Sequence, residues 1–130
     1  MINYKVNEPI SVKLFIALLN KTTLGARRPL EDEKRVAAML HHADLLVTAW
    51  DGEQLVGVAR SVTDFAYCCY LSDLAVDEQY QKQGIGLKLI EYTKQALHPQ
   101  AKIVLLSAPQ AVDYYPHIGF TQHMSAWTKS

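Results

Sequence analysis

The chain has no surplus of charge. Thirteen basic residues are matched by thirteen acidic ones among 130. With no basic tail or stripe either, a global electrostatic attraction to nucleic acid or to an anionic membrane is excluded. Cysteine is nearly absent: Cys68 and Cys69 are the two, and they are adjacent. Neighbours on a strand point to opposite faces, so no disulfide framework follows, and a metal centre would need partners at other spacings. Both are expected to be buried structural thiols. Long apolar runs are missing too. The longest near the N-terminus, Leu14 to Leu19, is far short of a membrane span and follows no cleavable-signal pattern. The expected location is therefore cytoplasmic. No repeat or low-complexity tract interrupts the chain, and its length suits one domain, residues 1–130, around one core.

What is present alternates between strand and helix patterns. Ile2 to Val6 reads as a strand. Ser11 caps a first helix whose apolar stripe is Val12, Phe15, Ile16, Leu18 and Leu19. A polar, glycine-bearing loop over residues 22–28 is placed to border a substrate site, and its Arg27-Arg28 pair suits an acidic substrate or simply solvent. Pro29 is expected to open a second helix with Glu31, Asp32 and Glu33 in its first turn. Leu45 to Trp50 and Leu55 to Val62 form a hairpin about Asp51-Gly52, and a third strand runs over 67–76. A helix from Leu87 to Leu97, a buried strand from Ile103 to Ala108, a short helix and a last strand near Gln122 to Trp127 complete the order. Three antiparallel strands followed by a βαβ crossover make an α+β fold, a mostly antiparallel sheet with helices on both faces.

The richest segment is Gln81-Lys82-Gln83-Gly84-Ile85-Gly86, between a strand and a helix. A strand that empties through such a turn into a helix leaves several backbone N–H groups unpaired, and the helix dipole adds about half a positive charge there. Phosphate binds at such a place, and glycine lets the backbone come close. The nucleotide P-loop is ruled out because no Gly-Lys-Ser or Gly-Lys-Thr follows, and the dinucleotide fingerprint because Leu89 stands where its third glycine belongs. A second pattern follows downstream: Tyr114-Tyr115-Pro116-His117-Ile118-Gly119-Phe120, after the apolar run Ile103 to Ala108.

The two together, Gln-x-x-Gly-x-Gly and an aromatic-Tyr pair closing on Ile-Gly-Phe, resemble the GNAT superfamily of N-acetyltransferases. The stretch from Leu55 to Phe120 is similar to the compact branch that includes serotonin N-acetyltransferase-like proteins. The resemblance implies acetyl-CoA as co-substrate and no metal. It implies a diphosphate held by the loop Gln81, Lys82, Gln83, Gly84, Ile85 and Gly86, a pantetheine arm held by the backbone of Leu74, Ala75 and Val76, and Tyr115 as general acid. It also implies a longer final hairpin than residues 121–130 provide, so that wall of the acceptor site is either open or completed by a second subunit. Monomer and homodimer both remain open.

The chemistry adds its own demands. A lysine-like ammonium, with pKa near 10.4, costs about 4–5 kcal/mol to deprotonate at neutral pH, so a base is expected. Asp73 interrupts an apolar strand just before the loop and is the candidate base, the alternative being a carboxylate that ties down backbone at a bulge. A phenol such as that of Tyr115 is protonated at neutral pH and matched to a leaving thiolate. Proline disfavours helical angles in the residue before it, so Pro116 is expected to end or kink the helix at Tyr115, with Tyr114 as the substitute acid and cofactor contact. His41-His42 reads as a helix end and Trp50 and Trp127 as core or rim aromatics. The resemblance makes an arylalkylamine or other small amine the first expected acceptor, and a protein lysine or N-terminus the second. A non-catalytic acyl-CoA sensor or accessory module is the alternative of another class.

Overall fold

A computed structural model describes residues 1–130. Strand β1 (Ile2–Val6) is followed by helices α1 (Val12–Leu19) and α2 (Glu33–His41), with a 3₁₀ turn at Thr23–Arg27 between them. Strands β2 (Leu45–Asp51), β3 (Gln54–Thr63) and β4 (Cys68–Val76) come next, then helix α3 (Ile85–Gln95), strand β5 (Lys102–Val104) and the one-turn helix α4 (Tyr114–His117). The five strands lie side by side in sequence order. The first three pairings are antiparallel, and β5 joins β4 in parallel through the α3 crossover. This is the α+β arrangement expected from the sequence.

The two faces of the sheet carry separate cores. On one face α3 sets Ile85, Leu89 and Ile90 against Leu45, Val47, Ala49, Val56, Ala59, Cys69 and Leu71. On the other, Phe15, Leu18 and Leu19 of α1 and Val36 of α2 pack on Leu46, Trp50, Leu55, Val58 and Ala75. Each large aliphatic chain sealed this way contributes about 1.5–3 kcal/mol. α3 approaches closely because residue 57 is glycine: a Cβ there would lie 3.1 Å from Leu89 Cδ1 and 3.2 Å from Ile85 Cγ2.

Local chemistry sets the element boundaries. Ser11 accepts from Leu14 N and starts α1 as expected. The second helix begins later than the sequence suggests: Asp32 is its N-cap, accepting from Arg35 N, and Pro29 belongs to the preceding turn. An aspartate whose side chain reaches the N3 amide starts a helix more firmly than a proline upstream of it. The hairpin turns on Gly52-Glu53, with Gly52 at φ +60°. Asp64 makes the next turn by accepting from the amides of Ala66, Tyr67 and Cys68, which pull its pKa below the usual carboxylate value.

Three expectations are corrected. The strand expected over Ile103 to Ala108 is cut to Lys102–Val104, because its pairing with β4 stops at Tyr70 opposite Val104. No strand follows α4, and residues 121–130 lie exposed on the surface, Trp127 among them. Of the two thiols only Cys69 is buried; Cys68, on the opposite face, is exposed.

The tight seat of α3 gives a test. Gly57→Ala is expected to cost about 1–3 kcal/mol by overpacking, read as a lowered urea midpoint at unchanged m-value.

Candidate active site

Strand β4 is irregular, and the irregularity builds the site. Arg60 of β3 faces Asp73 and Ser61 faces Leu71, which leaves Ser72 as an extra residue, a β-bulge. The bulge exchanges the strand's faces. Before it, Cys69 and Leu71 point to the α3 core; after it, Ala75 points to the α1 and α2 core while Leu74 and Val76 turn toward α3.

Asp73 itself is fully buried, with one oxygen on Arg28 Nε at 2.5 Å and the other on Arg60 Nε. Both guanidiniums also hold the bulge. Arg28 Nη2 donates to Ser72 O at 2.7 Å and Arg60 Nη2 to Ser72 Oγ at 3.1 Å. Arg60 Nη1 reaches Met39 O at 3.3 Å and so ties in α2. A buried carboxylate needs such partners, because an isolated one would be too costly to keep charged.

Beyond the bulge β4 is paired on one edge only. With β5 pairing lost after Tyr70, residues 71–76 keep β3 on one edge and present the other to a cleft of about 840 Å³. Leu74, Ala75 and Val76 form its floor, the loop around Gly84 one end, and Leu105, Leu106 and α4 the far wall. Gln81 Nε2 donates to Val76 O at 3.4 Å.

The start of α3 is uncapped. Ser11 and Asp32 cap α1 and α2 with their side chains, whereas the N-cap of α3 is Gly84, which has none. The first intrahelical donor to Gly84 O is Lys88 N at 3.1 Å, so the amides of Ile85, Gly86 and Leu87 have no helical acceptor. Gly84 (φ +79°) and Lys82 (φ +64°) both take left-handed angles, and for lysine that is strained backbone of the kind found at ligand clamps. Gly86 does not need its glycine for φ. A Cβ there would stand 3.3 Å from Tyr114 Oη and 4.0 Å from Val76 Cγ2, inside the cleft. Open amides, a cradle that a Cβ would narrow and a free strand edge fit a diphosphate with an amide-bearing arm.

Pro116 does not break the helix at Tyr115. It stands third in α4, within the first turn, where its missing N–H has no acceptor to lose. The turn closes at once: Gly119 N donates to Pro116 O at 3.3 Å and Phe120 N to Tyr115 O at 3.0 Å, with Gly119 left-handed at φ +96°. This is a Schellman closure, and its usual apolar contact is the Phe120 ring edge-on to Tyr115 at 5.5 Å. The Tyr-Pro-His-Ile-Gly-Phe run thus holds Tyr115 in place. Tyr114 meets it edge-on at 5.3 Å, and both line the cleft. Burial raises both phenols above their ordinary 10.0, and for Tyr115 the neighbouring Tyr114 adds to it.

Leu74, Ala75, Val76, Gln81, Lys82, Gly84, Ile85, Gly86, Tyr114 and Tyr115 therefore share one cleft. Asp73 and Gln83 do not line it. Asp73 sits behind the strand as a structural anchor, the alternative reading of a carboxylate at a bulge, because both its oxygens are engaged by arginine. Sequence reasoning missed Arg60. The signal was there, an arginine in an apolar strand adjacent to the strand that carries Asp73.

The chain matches the family model of the acetyltransferase (GNAT) domain over residues 25–129. The chain belongs to the GNAT acetyltransferase family. GCN5-related N-acetyltransferase 2, chloroplastic, of Arabidopsis thaliana is 38% identical over 77 residues, which cover 54% of this chain and 30% of that protein. The match thus spans less than a third of that relative. A GNAT family acetyltransferase of Streptococcus pneumoniae superposes with a TM-score of 0.76 at 25% identity, covering 99% of this chain and 98% of the other. The ribosomal-protein-S18-alanine N-acetyltransferase of Escherichia coli shares the fold, with a TM-score of 0.75 at 22% identity over 95% of this chain and 80% of that one.

The anchor at Asp73 can be tested by stability. Asp73→Asn leaves the buried Arg60 and the partly exposed Arg28 facing each other without a carboxylate and is expected to cost about 3–5 kcal/mol, read by urea unfolding.

Proposed function

We propose that residues 1–130 act as one N-acetyltransferase domain that moves an acetyl group from acetyl-CoA directly to a primary amine. The observation that carries this is the uncapped α3 N-terminus opening onto the same cleft as the free β4 edge and Tyr115. Acetyl-CoA supplies the acetyl group as a thioester, an activated acyl donor. The amides of Gly84, Ile85 and Gly86 receive its diphosphate, with Gln81 and Lys82 around them. The ladder to β3 engages Asp77, whose N–H donates to Val56 O, and by alternation Ala75, so the outward backbone groups of Leu74 and Val76 pair with the pantetheine arm across Ala75. An N–H of that edge polarises the acetyl carbonyl, a contribution of about 3–4 kcal/mol for one such donor.

The transfer forms one N–C bond, breaks one C–S bond, and leaves the thiolate in need of a proton. Tyr115 supplies it and is reprotonated, through water, by the proton the nitrogen sheds as the amide forms. Its pKa, raised above 10.0 by burial, keeps the phenol protonated throughout the neutral range. No Asp, Glu or His lines the cleft. The acceptor therefore reacts as the neutral amine already present in solution, or passes its proton to water.

Four measurements test this. Calorimetry on folded protein is expected to show saturable coenzyme A binding; its absence overturns the reading. Gly86→Ala adds a methyl at the second helical position and so favours the helix, yet narrows the cradle. Coenzyme A affinity is expected to fall about tenfold or more while the unfolding midpoint holds or rises.

Tyr115→Phe is expected to lower kcat by about 10²–10⁴-fold with little change in coenzyme A affinity. In the wild type, kcat/KM is expected to rise with pH up to the pKa of whichever acceptor is used. It falls again only above pH 10, where Tyr115 loses its proton, and that alkaline limb vanishes in the variant.

A further inference from the structure

The charge in the cleft is all of one sign. Its lining carries Arg27, Arg28 and Lys82 and no acidic side chain. Lys82 belongs to the loop end. The arginines do not: Arg28 is bonded to Ser72, four residues before Val76, which is about 13 Å back along an extended strand. Arg28 and its neighbour Arg27 thus line the cleft away from the loop end, in the part that the proposed diphosphate contacts leave free.

The buried pair does not cancel this charge. Asp73 carries one negative charge against the two positive ones of Arg28 and Arg60, which leaves one positive charge over. The surplus is displayed on Arg28, whose side chain is 19% exposed against 8% for Arg60. Arg28 has five N–H donors, and three serve Asp73, Arg27 O and Ser72 O, so two remain. Arg27 beside it is exposed and makes no ion pair. A planar fork with free donors, rigidly held, is suited to a carboxylate.

We propose that the acceptor is a small amine bearing a carboxylate near its nitrogen, an α-amino acid in the simplest case, with the carboxylate received by Arg27 and the free donors of Arg28. This rests on the acetyl-transfer reading and narrows its acceptor. Polycationic amines and plain arylalkylamines are the poorer substrates, the former repelled and the latter leaving the guanidiniums unmatched.

Matched pairs test the carboxylate alone: phenylalanine against phenethylamine and alanine against ethylamine, followed by thiol release from acetyl-CoA. At least one acid is expected to exceed its partner tenfold or more in kcat/KM. Arg27→Gln is expected to shrink that ratio and Arg27→Glu to invert it. Arg27 is exposed and outside the ion cluster, so an unchanged unfolding midpoint certifies both variants as folded. Equal rates, preference for the decarboxylated amine, or a preference that survives Arg27→Glu overturn the proposal and leave acetyl transfer standing. If nothing is acetylated, calorimetry of the same pairs, with and without saturating coenzyme A, decides. Heat from the acid alone, lost in Arg27→Glu, supports the carboxylate site while acetyl transfer fails. Heat from neither, or from both alike, overturns it.

Discussion

The ion cluster of Asp73 with Arg28 and Arg60 governs the architecture of the site. A carboxylate at full burial forces two long side chains to converge on it, one from β3 and one from the segment after the 3₁₀ turn. Those chains then have donors left over, and they spend them on the carbonyl and hydroxyl of Ser72. Hydrophobic residues of the same volume would pack as well or better, since desolvating three charges is expensive. They would not fix a bulge. With the bulge fixed, Leu74 and Val76 face the α3 side and the residues of the 22–28 segment are held beside β4.

The bulge and the early end of β5 act together. A parallel strand paired along all of β4 would consume the edge that faces the cleft, and an unbulged β4 would turn different side chains toward α3. What results is a stretch of backbone left unpaired next to a helix start left uncapped. In a fold without a ligand such orphans would be a defect. Gathered on one cleft, beside a strained Lys82 and a glycine that a methyl would crowd, they are the features on which the proposed diphosphate and pantetheine contacts rest. The Schellman-closed turn brings Tyr115 to the same cleft and holds it by its own backbone, with Phe120 as the brace.

The strand order, the crossover and the cleft-lining loop were legible because each depends on local signals: period-two apolar runs, a Gly52 turn, a glycine pair before an amphipathic helix. The failures share a cause, which is tertiary competition. Nothing within Ile103 to Ala108 says that β4 will cease to pair with it after Val104. Pro116 reads as a breaker only until the helix is seen to begin at Tyr114, two residues earlier. Asp73 reads as a lone acid in an apolar strand because its partners are 45 and 13 residues away in sequence. Buried charge in one strand should direct attention to opposite charge in its neighbours before any catalytic role is assigned.

With both oxygens of Asp73 held by arginine, the proposed transfer takes the amine's proton by another route. A base is one way to favour a neutral amine; a positive neighbourhood is another. A guanidinium about 6 Å from an ammonium opposes it by about 3 kcal/mol at an effective dielectric constant near 20, comparable to much of the cost of deprotonation at neutral pH. On the proposed reading the acceptor's carboxylate would ordinarily hold the proton on its amine, and Arg27 and Arg28 neutralise that influence as they bind it. Recognition and activation then come from the same charges. A cleft whose only charged side chains are cationic is consistent with amine chemistry when the amine must arrive, or become, uncharged.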